Sequence, residues 1–143
     1  MTYEGACHCG SVVVWFETDQ NGDAIEVRAC QCSFCRRHAA KSVSDPKGWL
    51  EVRAAPGALR RYQFATRSAD YLLCGECGCY LGAVATIDGR LLGLMNVVGG
   101  AIAHLADRAA VARDYSGDTP ETRRARRLER WTPAAVVEAA PNA

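Results

Sequence analysis

Short runs of β-branched and aromatic residues recur along the chain, and turn residues separate them. Residues 11–18 form the first run, residues 24–29 alternate between apolar and polar positions, and Asn21-Gly22 lies between the two. Because Asn-Gly is the strongest short-range signal for a two-residue turn, these segments predict a hairpin whose second strand leads to Cys30. Further strands are predicted at residues 49–53, 59–64, 80–87 and 90–97, the last two joined through Asp88-Gly89. This recurrence predicts a mainly β fold.

Two segments carry signals for the start of a helix. Ser33 is the predicted N-cap of a short helical turn over residues 34–40. At Asp118-Thr119-Pro120-Glu121, an N-cap candidate precedes a proline and an acid, which predicts a C-terminal helix. This helix is expected to end near Trp131, because Thr132-Pro133 follows it. A single domain is then expected over residues 1–133, with residues 134–143 as a tail, and the alanine-rich residues 101–113 favour no particular element.

Length, composition and charge narrow the class of protein. The 143 residues suffice for one domain with a core, and 49% hydrophobic and 23% charged residues are typical of globular proteins. The formal net charge of +1 gives no general attraction to nucleic acid or to a membrane surface. The sequence contains no run approaching the roughly 20 apolar residues that cross a bilayer. Its first residues lack the basic flank and apolar stretch of a signal peptide, so we expect a cytoplasmic protein without a membrane partner.

Eight cysteines dominate the candidate chemistry, and their spacing favours metal binding over disulfide bonds. They occur as Cys7-x-Cys9, Cys30-x-Cys32-x-x-Cys35 and Cys74-x-x-Cys77, with Cys79 two residues further on. Thiols one or two residues apart are placed to converge on one ion rather than to join distant loops. The expected cytoplasmic location also keeps thiols reduced.

One group of thiols predicts a structural zinc site. Cys74 and Cys77 form a knuckle, in which Gly78 lets the backbone turn with positive φ and bring amide groups toward sulfur. Cys7 and Cys9 are the obvious suppliers of two more ligands. Four thiolates complete the coordination of zinc, and a complete set of protein ligands is typical of structural sites.

The remaining close thiols, Cys30, Cys32 and Cys35, predict a second zinc site with three protein ligands. A zinc held in this way keeps a position for water or substrate, as catalytic zinc sites do. The alternative is that a fourth protein ligand closes this site as well, and the candidates are Cys79, His38 and His8. Iron–sulfur ligation is disfavoured because neither group follows the usual ferredoxin spacings.

A run of arginines lies on the predicted C-terminal helix, at Arg123, Arg124, Arg126, Arg127 and Arg130. A basic run of this kind is a candidate nucleic-acid patch. The near-neutral net charge and the interleaved acids Glu121 and Glu129 instead favour a solvated helix face. We therefore expect no nucleic-acid partner.

Taken in order, the cysteine motifs resemble one known family. Gly5-x-Cys7-x-Cys9-Gly10, Cys30-x-Cys32-Ser33-x-Cys35-Arg36 and Cys74-x-x-Cys77-Gly78 resemble the glutathione-dependent formaldehyde-activating enzyme family, which includes centromere protein V. Supporting matches are Leu59-Arg60-Arg61-Tyr62 and the ending Arg126-Arg127-x-x-x-Arg130-Trp131-Thr132-Pro133.

The resemblance implies a fold, a pair of metals and a reaction. The fold is the β-tent, in which layered antiparallel sheets surround zinc. The metals are two zinc ions per chain, a structural one on Cys7, Cys9, Cys74 and Cys77 and a catalytic one on Cys30, Cys32 and Cys35. The reaction is of the carbon–sulfur lyase class, in which glutathione and formaldehyde give S-hydroxymethylglutathione.

Two hypotheses follow from these observations. The leading hypothesis is a zinc-dependent enzyme that acts on a thiol adduct, with glutathione as the small-molecule thiol. The rival hypothesis is a zinc-stabilised binding module in which both metals are structural and no catalysis occurs. The sequence carries no signal for the oligomeric state.

Overall fold

Strands supply most of the regular structure in the computed structural model, which describes residues 1–139. The strands of this part of the chain are β1 (Thr2–Ala6), β2 (Val12–Glu17), β3 (Arg28–Cys30), β4 (Ser42–Val43), β5 (Trp49–Ala54), β6 (Leu59–Tyr62), β7 (Asp70–Cys74), β8 (Tyr80–Ile87), β9 (Arg90–Asn96), β10 (Val111–Arg113) and β11 (Thr132–Glu138). The helices are α1 (Ser33–Arg37), α2 (Ala103–Ala106) and α3 (Pro120–Arg130). The prediction of a mainly β fold is confirmed. None of these helices is long and apolar enough to span a bilayer.

The sheet is mixed rather than purely antiparallel. Its strands follow the order β1-β2-β5-β11-β9-β4-β3-β10, and β8, β7 and β6 extend from β9 as a meander. β11 runs parallel to β5, and β10 runs parallel to β3. Parallel neighbours need long crossover connections, and the chain from β5 to β11, which contains α2 and α3, supplies the connection for that pair. β11 also pairs with β9, so it joins the β1-β2-β5 layer to the meander.

The predicted first hairpin is wrong. β2 pairs with β1 and β5, whereas β3 pairs with β4 and β10. Asn21 instead begins a longer turn, in which its carbonyl accepts hydrogen bonds from the amides of Ala24 and Ile25 at 2.8 and 3.2 Å. Arg108 donates to the carbonyl of Ile25 at 2.6 Å and so takes the place of a strand partner. The alternation in this segment buries Ile25 and Val27 in the core rather than marking a strand beside β2.

The second predicted hairpin is confirmed. β8 and β9 pair in antiparallel fashion, with Ile87 opposite Arg90. Asp88 and Gly89 both have positive φ, at 51° and 75°. In a two-residue turn, this backbone conformation matches the twist of the two strands. Asp-Gly is one of the sequences that adopt it at low cost.

The C-terminal helix forms as predicted, but the segment after it does not. Thr119 is the N-cap of α3: its hydroxyl accepts from the amide of Thr122 at 3.1 Å, and the hydroxyl of Thr122 accepts from the amide of Thr119 at 2.8 Å. Trp131 is the C-cap. The expected tail is wrong for residues 134–138, because they continue β11 beside β5. The last four residues of the expected tail, 140–143, lie outside the described part of the chain.

One large hydrophobic cluster connects the layers of the sheet. It contains buried residues of β2, β5, β8 and β9, namely Val12, Val14, Phe16, Leu50, Val52, Leu81, Val84 and Met95. Cys7 and Cys74 belong to the same cluster. A separate buried cluster contains Cys35, Ala40 and Tyr80, with Cys30 and Cys32 packed against it. The two groups of thiols therefore adjoin different hydrophobic clusters.

Candidate metal centres

Cys7, Cys9, Cys74 and Cys77 lie together, and their geometry fits a tetrahedral metal site. The four Sγ atoms lie within 4.8 Å of one another. The Sγ atom of Cys9 is 3.7 Å from that of Cys7 and 3.6 Å from that of Cys74. A zinc–sulfur bond of about 2.3 Å places the corners of a tetrahedron about 3.8 Å apart, so these separations suit zinc. They are too long for a disulfide, in which the sulfurs are about 2.05 Å apart.

The knuckle loop folds around its own sulfurs. The amide of Cys77 donates to Sγ of Cys74 at 3.5 Å, and the amide of Gly78 donates to the carbonyl of Cys74 at 2.8 Å. Gly78 adopts φ of 80°, which a residue with a side chain adopts only at a cost. Backbone amides of Cys79 and Cys9 lower the pKa of Cys77 to about 5. The loop therefore favours the thiolate form that a metal binds.

Cys30, Cys32 and Cys35 form the second group, with their Sγ atoms within 4.8 Å of one another. Cys30 ends β3, and the single turn of α1 brings Cys35 back to Cys32. The Sγ atom of Cys32 accepts a hydrogen bond from the amide of Cys35 at 3.3 Å, so Cys32 is the N-cap of α1. The predicted cap at Ser33 is therefore one residue too late.

These three thiols are too close to ionise independently. Contacts with Cys30 and Cys35 lower the pKa of Cys32 to about 2. Contacts with Cys30 and Cys32 raise the pKa of Cys35, because a second thiolate beside the first would be repelled. A divalent cation removes this conflict by binding all three thiolates. The donor set thus fits zinc as well as the first group does.

The proposed fourth ligands do not join this group. Cys79 lies at the other site, where its thiol is beside the backbone amide of His8 and the thiol of Cys77. His38 is the C-cap of α1, and its ring packs 4.6 Å from that of Phe34 and 5.6 Å from that of Tyr80. Among residues 1–139, the cluster of potential ligand atoms contains the three thiols alone.

An aromatic cluster, which no local pattern in the sequence indicates, surrounds the three-cysteine group. The ring of Phe34 lies 4.9 Å from that of Tyr80, 5.0 Å from that of Tyr71 and 5.2 Å from that of Phe64. Phe34 is on α1, whereas the other rings belong to β7, β8 and the loop after β6. Each aromatic residue is visible in the sequence, but only the pairing of the meander brings them together.

Two cavities adjoin the three-cysteine group. The larger, of about 260 Å³, lies between Cys30, Cys32, Tyr71 and the arginines of α3. The smaller, of about 60 Å³, lies between Cys30, Cys35, Arg28 and Trp131. Both are lined by Arg126 and Arg127. The arginine helix is therefore a wall of the candidate site.

The prediction that these arginines form a solvated helix face is wrong for Arg127, which is only 8% exposed. Its Nη1 atom donates to the hydroxyl of Ser68 at 2.9 Å, and its guanidinium lies 4.7 Å from the ring centre of Trp131. Burial lowers the pKa of Arg127 to about 10 and also lowers that of Arg28. With a pKa of about 10, Arg127 carries a positive charge at neutral pH, and guanidinium groups in general stay protonated in proteins.

Comparison with known proteins identifies the family. The family model described as glutathione-dependent formaldehyde-activating enzyme matches residues 2–116, which include both groups of thiols. This chain belongs to that family. The match ends before α3 and β11, so the arginine wall lies beyond the segment that the formaldehyde-activating enzyme model covers.

A solved structure is similar to this chain in fold and sequence. The crystal structure of a Rhodobacter sphaeroides protein is 29% identical in sequence and has a TM-score of 0.52. The similarity covers 83% of this chain and 93% of that chain. No curated protein matches this sequence significantly.

Proposed function

We propose that this protein is a zinc-dependent enzyme that joins a thiol to a small aldehyde at the three-cysteine group. The observation that carries the proposal is the contrast between the two groups of thiols. One offers four ligands in tetrahedral proximity, whereas Cys30, Cys32 and Cys35 offer three, and Cys30 and Cys32 line a cavity of about 260 Å³. A zinc ion held by these three residues would leave a coordination position for a substrate sulfur that enters this cavity.

The two groups have different roles in this proposal. Cys30, Cys32 and Cys35 would hold a catalytic zinc, and Cys7, Cys9, Cys74 and Cys77 would hold a structural one. When bound, the catalytic zinc would lower the pKa of a coordinated thiol and so supply its thiolate form near neutral pH. The structural site joins the loop after β1 to the end of β7, and metal binding of this kind contributes on the order of 10 kcal/mol to folding.

The favoured substrates are glutathione and formaldehyde, which the family description names. The thiol sulfur attacks the carbonyl carbon, a carbon–sulfur bond forms, and the π electrons of the carbonyl group move to oxygen. The proton that left the thiol ends on that oxygen, so S-hydroxymethylglutathione forms without an oxidant or a reductant. The reverse reaction breaks the carbon–sulfur bond, as a lyase does. We place this reaction in the cytoplasm, where free thiols persist.

Tyr71 is placed to assist the attack. Its side chain lines both cavities together with Cys30. Burial raises the pKa of Tyr71 to about 12, so its hydroxyl keeps its proton at physiological pH. A neutral hydroxyl can donate a hydrogen bond to the carbonyl oxygen as negative charge develops there. The rings of Phe34 and Phe64 pack against Tyr71 and limit the access of water to this side of the site.

Exchange NMR with ¹³C-labelled formaldehyde and glutathione tests the proposal, because it measures how fast the adduct forms and breaks. We expect zinc-loaded protein to accelerate this exchange about tenfold or more over the same mixture without protein. The variant Cys32→Ser should lose the acceleration. Cys79→Ser, which removes a thiol outside both groups, should keep it.

The rival function is an outcome of the same experiment. If protein with two bound zinc ions leaves the exchange at its uncatalysed rate, the enzyme proposal is contradicted. A zinc-stabilised binding module would then describe the protein better.

A further inference from the structure

Two buried guanidinium groups lie beside the thiol cavities without a carboxylate partner. Arg28 and Arg127 are 6% and 8% exposed, and neither takes part in an ion pair within residues 1–139. The acid whose charge attracts Arg28 is Glu26, which forms its ion pair with Arg113. The acid whose charge attracts Arg127 is Asp118, which forms its ion pair with Arg126. Buried charges are normally paired, so these two require an explanation.

Arg127 also has donors left over. Its hydrogen bonds to Ser68 come from Nη1 alone, at 3.3 Å to the carbonyl and 2.9 Å to the hydroxyl. Its Nε atom is buried and has no hydrogen-bond partner among the described residues. A buried polar group without a partner is costly. The arrangement therefore favours a negatively charged ligand in the adjoining cavity.

The negative charge of the three thiols and their zinc does not balance the positive charge of the arginines beside the two cavities. A zinc ion bound by the three thiolates would carry one net negative charge, or two with a substrate thiolate added. Both values are smaller than the three positive charges of Arg28, Arg123 and Arg127, which line the two cavities without an ion pair among the described residues. Asp114 is the acid in the lining of the larger cavity, but it is exposed, and its carboxylate accepts a hydrogen bond from the amide of Ser116 at 2.9 Å. The arginines of α3 in the same lining outnumber it.

Resting on the proposed function, we infer that the larger cavity is a carboxylate subsite, in which Arg127 and Arg123 bind the acid group of a thiol substrate. Arg123 lines the same cavity, is half-buried and has no ion pair among the described residues, so it can act with Arg127. Arg126 is neutralised by Asp118, with 2.8 Å between Nη2 and Oδ2, and is therefore not an anchor.

The size of the cavity limits the ligand. Its volume of about 260 Å³ is close to the lower limit of ligand pockets, about 300 Å³. It therefore suits a small mercapto acid, or the part of glutathione that joins the thiol to one carboxylate. Arg123 and Arg127 lie on α3, outside the segment that the family model matches, so the C-terminal part of the chain supplies the arginines of this subsite.

The test compares two thiols that differ in charge and little in shape, 3-mercaptopropionate and 3-mercaptopropionamide. Titration calorimetry of the zinc-loaded full chain should show about tenfold or more tighter binding of the acid, as expected for a charge-assisted hydrogen bond. Arg127→Gln and Arg123→Gln should remove this preference while leaving the affinity for the amide unchanged. Arg124→Gln is the matched control, because Arg124 is on the same helix but pairs with Asp88 outside the thiol cavities.

Three results would overturn the inference. The first is equal affinity of wild-type protein for both thiols. The second is a preference for the acid that persists in both arginine variants, because the carboxylate would then bind a group other than these arginines, such as the metal. If Arg127→Gln fails to fold, Arg123→Gln decides between these outcomes.

The third result is an absorption spectrum that neither thiol changes, and it would also contradict the proposed function. The absorption spectrum of cobalt-substituted protein reports whether a thiol reaches the metal. A spectrum that neither thiol changes contradicts the proposed function together with the subsite. A spectrum that both thiols change, with equal affinities, contradicts the subsite alone.

Discussion

The amide of Ala6 donates a hydrogen bond of 3.0 Å to the carbonyl of Gly100. This contact is possible because Gly5 has no side chain: a Cβ atom there would collide with the same carbonyl and with the side chain of Ile102. The loop after β9 is therefore fixed against the end of β1, directly before Cys7. This close approach of two backbones lies next in sequence to Cys7, the first of the N-terminal thiols.

Gly5→Ala is expected to lower the free energy of unfolding by about 1–3 kcal/mol, because the added methyl group must displace packed backbone. Denaturant unfolding of zinc-loaded protein at a fixed zinc concentration measures the change. Gly117→Ala is the control, since a Cβ atom at Gly117 meets no other atom within 4 Å. Equal midpoints for the two variants would show that the contact at Gly5 does not matter for stability.

Metal analysis of single cysteine variants should separate the two thiol groups. Cys30→Ser is expected to lose about one zinc ion per chain and to keep its circular dichroism spectrum, because a catalytic site is not needed for folding. Cys74→Ser is expected to unfold, since a structural zinc contributes on the order of 10 kcal/mol. Cys79→Ser should keep both ions. Unfolding of Cys30→Ser to the same extent as Cys74→Ser would assign a structural role to both groups.

Tyr71→Phe should slow adduct exchange about tenfold to 100-fold without changing the zinc content, because it removes one hydrogen-bond donor beside the developing oxyanion. Tyr62→Phe is the matched control. Tyr62 packs in the same aromatic cluster, with 5.8 Å between its ring and that of Phe34, but it is 49% exposed and does not line either cavity. Equal losses in the two variants would indicate a change in ring packing rather than a lost donor.

Local signals in the sequence predicted the parts of the fold that depend on a few neighbouring residues. The turn at Asp88-Gly89 and the start of α3 at Thr119 both depend on backbone preferences within four residues, and both are confirmed. The division of the thiols into groups of four and three was also visible, because close spacing brings sulfurs together whatever the surrounding fold.

Features that depend on distant pairing were not predictable in the same way. Asn21-Gly22 has the composition of a hairpin turn, but Arg108, more than 80 residues away in sequence, bonds the carbonyls that a partner strand would need. Arg127 is surrounded by charged neighbours in sequence, and only the packing of Ser68 and Trp131 against it explains its burial. The arginine wall of the site thus follows from tertiary structure.

Asp118→Asn is expected to convert Arg126 into a further anion-binding group. The two side chains are each 19% exposed and form the ion pair that neutralises Arg126 at the edge of the larger cavity. Removing the carboxylate charge should tighten binding of 3-mercaptopropionate about threefold to tenfold and leave binding of 3-mercaptopropionamide unchanged. The gain should shrink as salt is added, because screening weakens the attraction of partly exposed charges.

Asp88→Asn provides the control for this prediction, because it removes the same charge from the partner of Arg124, away from the thiols. An equal gain in both variants would mean that the net charge of the protein attracts the anion, with no contribution from the position of Arg126. A gain confined to Asp118→Asn would support an anion subsite formed by α3. Of the two arginines that lose an ion pair in these variants, Arg126 lines the cavity beside Cys30 and Cys32, whereas Arg124 does not.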